Sequence, residues 1–278
     1  MLYSTPVQTK DFTFDLNINL SRNVSKVKEL ADGVDYLFFN GDANFPINVG
    51  TRVGHRLGEI YAKNLYKRDE NGNMIVNKQG RPTKVSGEDA FQYTLDHPIG
   101  NIEPDLLMSV SPSFTYKGFT LSALFDMKFG GDIVSVSEAM ATSTGLAART
   151  ANRGNAENGW KIVAPGVTAD GTVNSTAMNA QRYYTSMSGM AEEFVYDASF
   201  IKLKELSLGY SFPKSILKKT PLTSLNVAFV ARNLAYLMKH TPRTSPEGGY
   251  DTSMFSQAID YMSVPYTRTF GLSINLGF

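Results

Sequence analysis

The sequence predicts an all-β chain, part of an antiparallel, up-and-down transmembrane β-barrel with short turns at one end and long loops at the other. Three observations predict it. Segments of period-two alternation recur along the chain, the clearest being Phe270-Gly271-Leu272-Ser273-Ile274-Asn275-Leu276-Gly277-Phe278. The connections between those segments alternate strictly between short and long. The composition joins 12% aromatics to 19% charged residues, where a soluble domain carries about 25% charge, yet no apolar run is long enough for a transmembrane helix.

Successive side chains of a strand point to opposite faces, so strict alternation gives one apolar and one polar face. Along the chain this pattern yields about nine strands. A stub lies at 2–5. Residues 11–20 set Phe12, Phe14, Leu16, Ile18 and Leu20 against Asp11, Thr13, Asp15, Asn17 and Asn19. Residues 34–40 and 46–61 are two weaker strands around Gly41-Asp42-Ala43-Asn44. Residues 106–116 and 119–130 make a hairpin about Lys117-Gly118, with Phe119, Leu121, Ala123, Phe125, Met127 and Phe129 on one face. Residues 196–212 align Leu206, Leu208, Tyr210 and Phe212, and residues 223–240 align Leu225, Val227, Phe229 and Ala231. The final strand covers about 265–278.

Short turns fall near 6–10, 41–45, 117–118 and 213–222. Long loops fall near 23–33, 62–105, 131–195 and 241–264. In a meander this places every short turn at one end and every long loop at the other, as in outer-membrane barrels. A sandwich has no reason to sort its loops this way. The last strand has the right length. Phe270 to Phe278 spans about 27 Å at about 3.3 Å per residue, which a tilt of about 40° reduces to roughly 20 Å, near the apolar band of such barrels. On that reading Tyr266, Phe270, Leu272, Ile274, Leu276 and Phe278 face lipid, with Tyr266 near the outer headgroups and Phe278 near the inner ones. The competing reading is a strand buried in a soluble sandwich.

Net charge is +1, so composition gives no reason to expect nucleic acid as a partner. There is no cysteine, which removes disulfides and thiolate metal sites and suits an oxidising compartment. Met1 precedes Leu2-Tyr3-Ser4-Thr5-Pro6, without the charged and apolar regions of a signal peptide. For a membrane protein the expectation is then a piece of a longer chain.

Chemistry-bearing motifs are sparse. Asp69-Glu70-Asn71-Gly72-Asn73 resembles the start of a calcium loop, but Gly80 stands where the closing glutamate belongs, and turns in a polar loop are the better reading. His55, His97 and His240 are isolated and are assigned to loop or rim polarity. Gly50, Gly54 and Gly58 read as strand bends or bulges. Loop 131–195 holds the single Trp, Trp160, with Arg149, Arg153, Arg182, Tyr183 and Tyr184. Trp160, Tyr183 and Tyr184 are candidate contacts to a sugar ring or a partner protein, against a plainer reading in which the loop has its own small core. No catalytic residue, cofactor or metal site is expected.

Ala198-Ser199-Phe200-Ile201-Lys202-Leu203-Lys204-Glu205-Leu206-Ser207-Leu208-Gly209-Tyr210-Ser211-Phe212-Pro213 resembles the C-terminal region of SusC/RagA-type TonB-dependent transporters of Bacteroidetes outer membranes. The resemblance continues through Leu217-Lys218-Lys219, Arg232-Asn233-Leu234 and Arg268-Thr269-Phe270-Gly271-Leu272. Upstream it takes in Val49-Gly50 with Leu57-Gly58-Glu59-Ile60-Tyr61, and the hairpin Phe114 to Phe129. One departure is Ser245-Pro246-Glu247, where the family often has Asp-Pro-Glu, so the role of that Asp is not carried over.

The resemblance implies the last part of a barrel of about 22 strands, without the family's signal, TonB box, plug and early strands. It implies a whole protein that imports oligosaccharides or peptides across the outer membrane, with a SusD-like surface lipoprotein as lid and TonB, engaged through the missing N-terminal part, as energy source. The wall would meet lipid, the loops would form the rim, and Phe278 would serve as the assembly signal. The alternatives are a soluble all-β carbohydrate-binding module, which needs 270–278 buried against a second sheet, and an outer-membrane barrel enzyme such as a lipase, which needs a Ser-His or Asp-His cluster on neighbouring strands.

Overall fold

Seven strands pair edge to edge in sequence order: β1 (Leu2–Gln8), β2 (Phe12–Ser21), β3 (Leu106–Tyr116), β4 (Phe119–Phe129), β5 (Phe200–Ser211), β6 (Ser224–Lys239) and β7 (Thr269–Gly277). Every pairing is antiparallel, so the sheet is an up-and-down meander. The computed structural model describes residues 1–41, 45–249 and 256–278.

Register carries the alternation from strand to strand. One row runs across all seven strands as Val7, Phe14, Phe114, Leu121, Leu208, Phe229 and Leu272. The adjacent row, on the other face, is Gln8, Thr13, Thr115, Thr120, Gly209, Ala228 and Ser273. A slip of one residue in any pairing would swap the faces. Bulges on β1 and between β4, β5 and β6 absorb the irregular positions, including Lys204 and the left-handed Asn233. The β3–β4 turn needs positive φ at both central positions to match the strand twist, and Lys117 (φ 47°) and Gly118 (φ 88°) supply it.

The other two connections at that end are also short, 9–11 and 212–223, the second holding a one-turn helix, Lys214–Leu217. At the opposite end connections 22–105, 130–199 and 240–268 fold together into a cap. The cap holds helices α1 (Glu88–Asp96), α2 (Val136–Ser143) and α3 (Ala180–Met187). A four-stranded sheet (Tyr36–Gly41, Ile47–Arg52, Glu59–Ala62, Gly100–Asn101) belongs to the first loop. A three-stranded sheet joins Asp132–Ser135 and Val195–Asp197 of the second loop to Ile259–Asp260 of the third. One core is shared by all three loops: Ile47 and Ile60 from the first, Val134, Tyr183 and Phe194 from the second, Ile259 from the third.

The strands expected at 34–40 and 46–61 therefore exist but lie in the cap, and among the described residues the wall has seven strands rather than about nine. Burial explains the difference: every residue of Ile47–Gly50 and Glu59–Ala62 is buried, on both faces, as in an ordinary core. Residues 46–61 form two strands because Gly54 (φ 87°) and Gly58 (φ 72°) turn the chain between them. Of the turn expected at Gly41-Asp42-Ala43-Asn44, residues 42–44 lie outside the described residues. Removing these two strands leaves the short–long alternation of the connections intact. Among the described residues no helix is long and apolar enough to cross a membrane, which says nothing of strands.

Candidate functional site

The first functional surface is the apolar face of the wall. Phe270, Leu272, Ile274, Leu276 and Phe278 are all more than half exposed, and Leu208 and Phe229 beside them likewise. An uncovered apolar sheet of this extent would be an interaction or aggregation surface in water, and is the ordinary outer face of a barrel in lipid. The opposite face is laced with polar contacts. Thr5 Oγ1 donates to Asp15 at 2.7 Å, Lys204 Nζ to Asp126 at 2.7 Å, Arg232 Nε to Glu205 at 2.7 Å and Asn226 Nδ2 to Ser211 at 2.8 Å. These pairs join neighbouring strands across a wet face, where long polar side chains can satisfy one another or water.

Tyr266 departs from the expectation. β7 begins at Thr269, so the period of two does not extend back to residue 266. The Tyr266 ring instead lies 4.8 Å from Lys202 Nζ. Lys202 pairs in register with Asp126 and Tyr236 on the polar face, so Tyr266 belongs to that side and not to the row of Phe270.

Lys202 is the centre of the seam between wall and cap. It is 3% exposed. Its Nζ donates to Glu247 Oε2 at 2.5 Å and sits 5.1 Å from the Tyr236 ring. Tyr236 OH also donates to Glu247 Oε2 at 2.5 Å and lies 2.8 Å from Ser245 Oγ. The backbone N–H of Glu247 donates to Ser245 Oγ at 3.2 Å. Burying an ammonium is tolerable only where charge and hydrogen bonds meet it, and here one carboxylate and two aromatic faces do so. The Ser245-Pro246-Glu247 segment thus ties the third loop to β5 and β6.

A second polar cluster lies at the same level. Asp197 Oδ1 accepts from Ser199 N–H at 2.8 Å, and its Oδ2 lies 2.5 Å from His240 Nδ1. Burial pushes the Asp197 carboxyl up, but the Ser199 and His240 contacts outweigh it and hold it below the ordinary range. Asp132 goes the other way: burial raises it, although its Oδ2 accepts the Asn101 N–H at 2.8 Å.

The loop candidates separate. Trp160 is half exposed, with φ 57° and its backbone held by Asn155 O at 2.8 Å and Ala180 N at 3.0 Å. Tyr183 and Tyr184 are each 7% exposed on α3 and face the shared core. Tyr184 OH donates to Arg149 O at 2.9 Å, and burial pushes the Tyr183 phenol up to about 12. The plainer reading of these two tyrosines, a loop with its own core, matches their placement. An edge of Tyr184 still joins Trp160 and Arg153 around a recess of about 480 Å³. Arg149 is likewise committed to packing, bonded to Tyr196 OH at 2.7 Å and Glu193 at 3.1 Å above the Phe194 ring.

Asp69 accepts from the backbone of Asn71 and Asn73 at 3.0 and 2.8 Å, an Asx turn. The histidines stay apart, at Glu59, Tyr93 O and Asp197 respectively. The Lys202–Glu247–Tyr236 cluster has no local signal, because its members are 11 to 45 residues apart. Only the Ser-Pro-Glu segment marked it in the sequence.

No family model matches the chain. A TonB-dependent receptor of Formosa agariphila is 27% identical over 99% of the chain, which covers 28% of that receptor. The TonB-dependent receptor SusC of Bacteroides thetaiotaomicron is 29% identical over 74% of the chain and 19% of its own length. Among solved structures, the RagAB peptide importer in its open-open state matches with a TM-score of 0.62 at 17% identity, over 99% of this chain and 28% of that one. A second structure of the RagAB peptide transporter matches with a TM-score of 0.63. The chain thus spans about a quarter of the length of these relatives, and the likeness to the solved structures is one of fold. In sequence and in fold the chain resembles SusC/RagA-type TonB-dependent transporters, and its seven-stranded sheet is part of the wall of an outer-membrane β-barrel.

Proposed function

We propose that this chain is the C-terminal segment of a TonB-dependent outer-membrane importer, supplying part of the wall and much of the outer rim. The observation that carries the reading is the pair of rows crossing all seven strands, one apolar and uncovered, the other polar. A sheet with two unpaired edges does not persist in lipid, where each unmet backbone group costs several kcal/mol, so further strands of the parent would close the barrel against β1 and β7. The cargo is an oligosaccharide or a peptide. A SusD-like surface lipoprotein would sit on the cap, and TonB would act through the part of the parent that precedes this segment. Transport, not covalent chemistry, is the role assigned. The soluble-module alternative needs a second sheet over the apolar rows, and in this structure those side chains are exposed.

Expression of the full parent gene tests the reading. The product should fractionate with the outer membrane, migrate heat-modifiably, and support uptake that is lost without TonB. A product that is soluble and monomeric without detergent contradicts it. Within this reading Phe270, Leu272, Ile274 and Leu276 meet lipid and Phe278 is the assembly signal. Phe278→Ser should lower insertion with little effect on synthesis, read as the ratio of membrane-inserted to total protein; an unchanged ratio removes that role.

A further inference from the structure

Several arginines of the cap are neutralised in place. Arg52, Arg56, Arg68 and Arg149 meet carboxylates on Asp96, Glu103, Glu192 and Glu193. Others meet none among the described residues, and two of these, Arg81 and Arg182, line one recess of about 730 Å³. That is the size of a small-ligand site. The rest of its lining is amide, hydroxyl and the buried Met178, with no aspartate or glutamate. The chain around it is equally one-sided: residues 71–87 and 171–191 hold Lys78, Arg81, Lys84 and Arg182 and no acidic residue.

Both arginines stand on fixed backbone. Asn77 Oδ1 accepts the N–H groups of Gln79 and Arg81, each at 3.0 Å. Gly80 (φ 71°) lets this turn press against Thr176 O, where a Cβ would not fit. Arg81 Nε donates to Ser186 Oγ at 3.3 Å, which orients the guanidinium and leaves its two Nη groups without a partner among the described residues. Arg182 lies in the first turn of α3, and its N–H donates to Asn179 Oδ1 at 3.1 Å. In both asparagines a backbone N–H occupies the carbonyl oxygen, so the free end of each side chain is its NH₂ group. Among the described residues neither Nδ2 has a hydrogen-bond partner. The recess thus presents unused N–H donors from two guanidiniums and two amides.

That combination discriminates between ligands. A guanidinium fork takes two oxygens of a sulfate, phosphate or carboxylate at once. A cation would find no carboxylate here, and a neutral ligand would leave the charge of both arginines unused. No wall strand lines the recess, so neither the lipid-facing rows nor the polar face of the sheet takes part in it. That favours a dissolved ligand over a headgroup of the outer leaflet. We propose that this recess is an anion site of the cap for a dissolved ligand with several oxyanion groups, such as sulfate or phosphate esters: Arg81 and Arg182 hold the charged groups, and the amides of Asn77 and Asn179 donate beside them. The site does not decide which cargo the parent carries.

The test uses the full parent protein in detergent, with sucrose octasulfate as the probe and sucrose as its neutral counterpart. Calorimetry should show binding of the first and none of the second, and added salt should weaken it. On the unmutated protein the probe should slow amide exchange in 77–82 and 179–186 and leave the 9–11 turn unchanged. Joint replacement Arg81→Gln and Arg182→Gln should weaken binding about ten-fold or more, as loss of charge-assisted hydrogen bonds does. Lys10→Gln removes a cation at the other end of the wall and should leave binding unchanged. Heat-modifiable migration shows that the variants fold, and the exchange measurement needs no variant. No binding of the probe, equal binding of sucrose, protection that misses both segments, or undiminished binding by the folded double variant would each overturn the proposal. Displacement of the probe by lipopolysaccharide, but not by its dephosphorylated form, would overturn the dissolved ligand in favour of a lipid headgroup; no displacement by either supports it. Outer-membrane fractionation of the same preparations tests the transport reading separately.

Discussion

The wall and the cap of this molecule follow opposite rules of burial. In the wall Phe229 and Leu272 point outward and more than half of each is exposed, while the opposing face carries Thr13, Thr115, Thr120 and Ser273. In the cap Ile47, Ile60, Val134 and Phe194 are completely buried, and charged groups such as Arg68 with Glu192 and Arg149 with Glu193 are paired. The hydrophobic effect drives the second arrangement in water. It drives the first only where the outside is hydrocarbon, and there backbone hydrogen bonding across the strands does the rest. One chain of 278 residues is thus built for two solvents, and the change occurs at the seam held by Lys202 and Glu247.

The seam is where the contrast breaks most easily. Glu247→Ala leaves the Lys202 ammonium buried without its carboxylate, and losing one partner of a buried pair costs about 3–5 kcal/mol. The third loop should become protease-sensitive while the barrel still migrates heat-modifiably, and equal protection in wild type and variant would remove the seam's role. A smaller effect separates the faces of the wall. Leu208→Arg places charge on the lipid side, at about 2–4 kcal/mol near mid-membrane, whereas Ser207→Arg, one residue along on the polar side, should fold nearly as well. Urea midpoints in detergent or bilayer would show the difference, and equal costs would refute the assignment of faces.

Alkaline pH should act on the cap. Tyr183 is held up to about 12 by burial, against an ordinary value near 10. Its folded-state pKa is raised, so its contribution is complete below pH 10 and lost as pH rises from about 10 to 12. Two pKa units correspond to about 2–3 kcal/mol. Tyr196, also raised to about 12 by burial, adds in the same direction. Proteolysis of the cap should therefore rise over that window, and Tyr183→Phe should flatten the rise. The smallest effect belongs to the N-cap of α2. Ser135 Oγ accepts the Glu138 N–H at 3.1 Å and donates to Asp260 at 2.8 Å. Ser135→Ala should cost about 1 kcal/mol, visible as faster amide exchange in 136–143 and not in β4.

Much of the wall was legible because period-two alternation is a local property. Phe12 to Leu20, Phe119 to Phe129 and Phe270 to Phe278 each display it without reference to any other segment. The cap was not legible in the same way. Ile47–Arg52 and Glu59–Ala62 are β-rich and apolar, but their burial on both faces depends on loops far along the chain, out to Ile259 of the third. Nothing local distinguishes such strands from weak wall strands. Tyr266 misled for a related reason: it continues the spacing of Phe270, but the strand ends before it and a cation across the sheet holds its ring. Tyr183 and Tyr184 carry the amphipathic pattern of a helix face, which points equally to a core or to a binding surface. Lys202 and Glu247 sit 45 residues apart, and their pairing follows from the register of β5 with β6 and the return of the third loop.

The assignment of faces in β7 admits a direct measurement. This chain has no cysteine, so single cysteines at positions 270 to 277 can be introduced into a parent freed of any others, labelled with a fluorophore and reconstituted into bilayers. Lipid-borne quenchers should reach positions 270, 272, 274 and 276, and a water-soluble quencher should reach 271, 273 and 275. Quenching that shows no alternation, or alternation of the opposite phase, would contradict the account of this sheet as a barrel wall with its apolar rows in lipid.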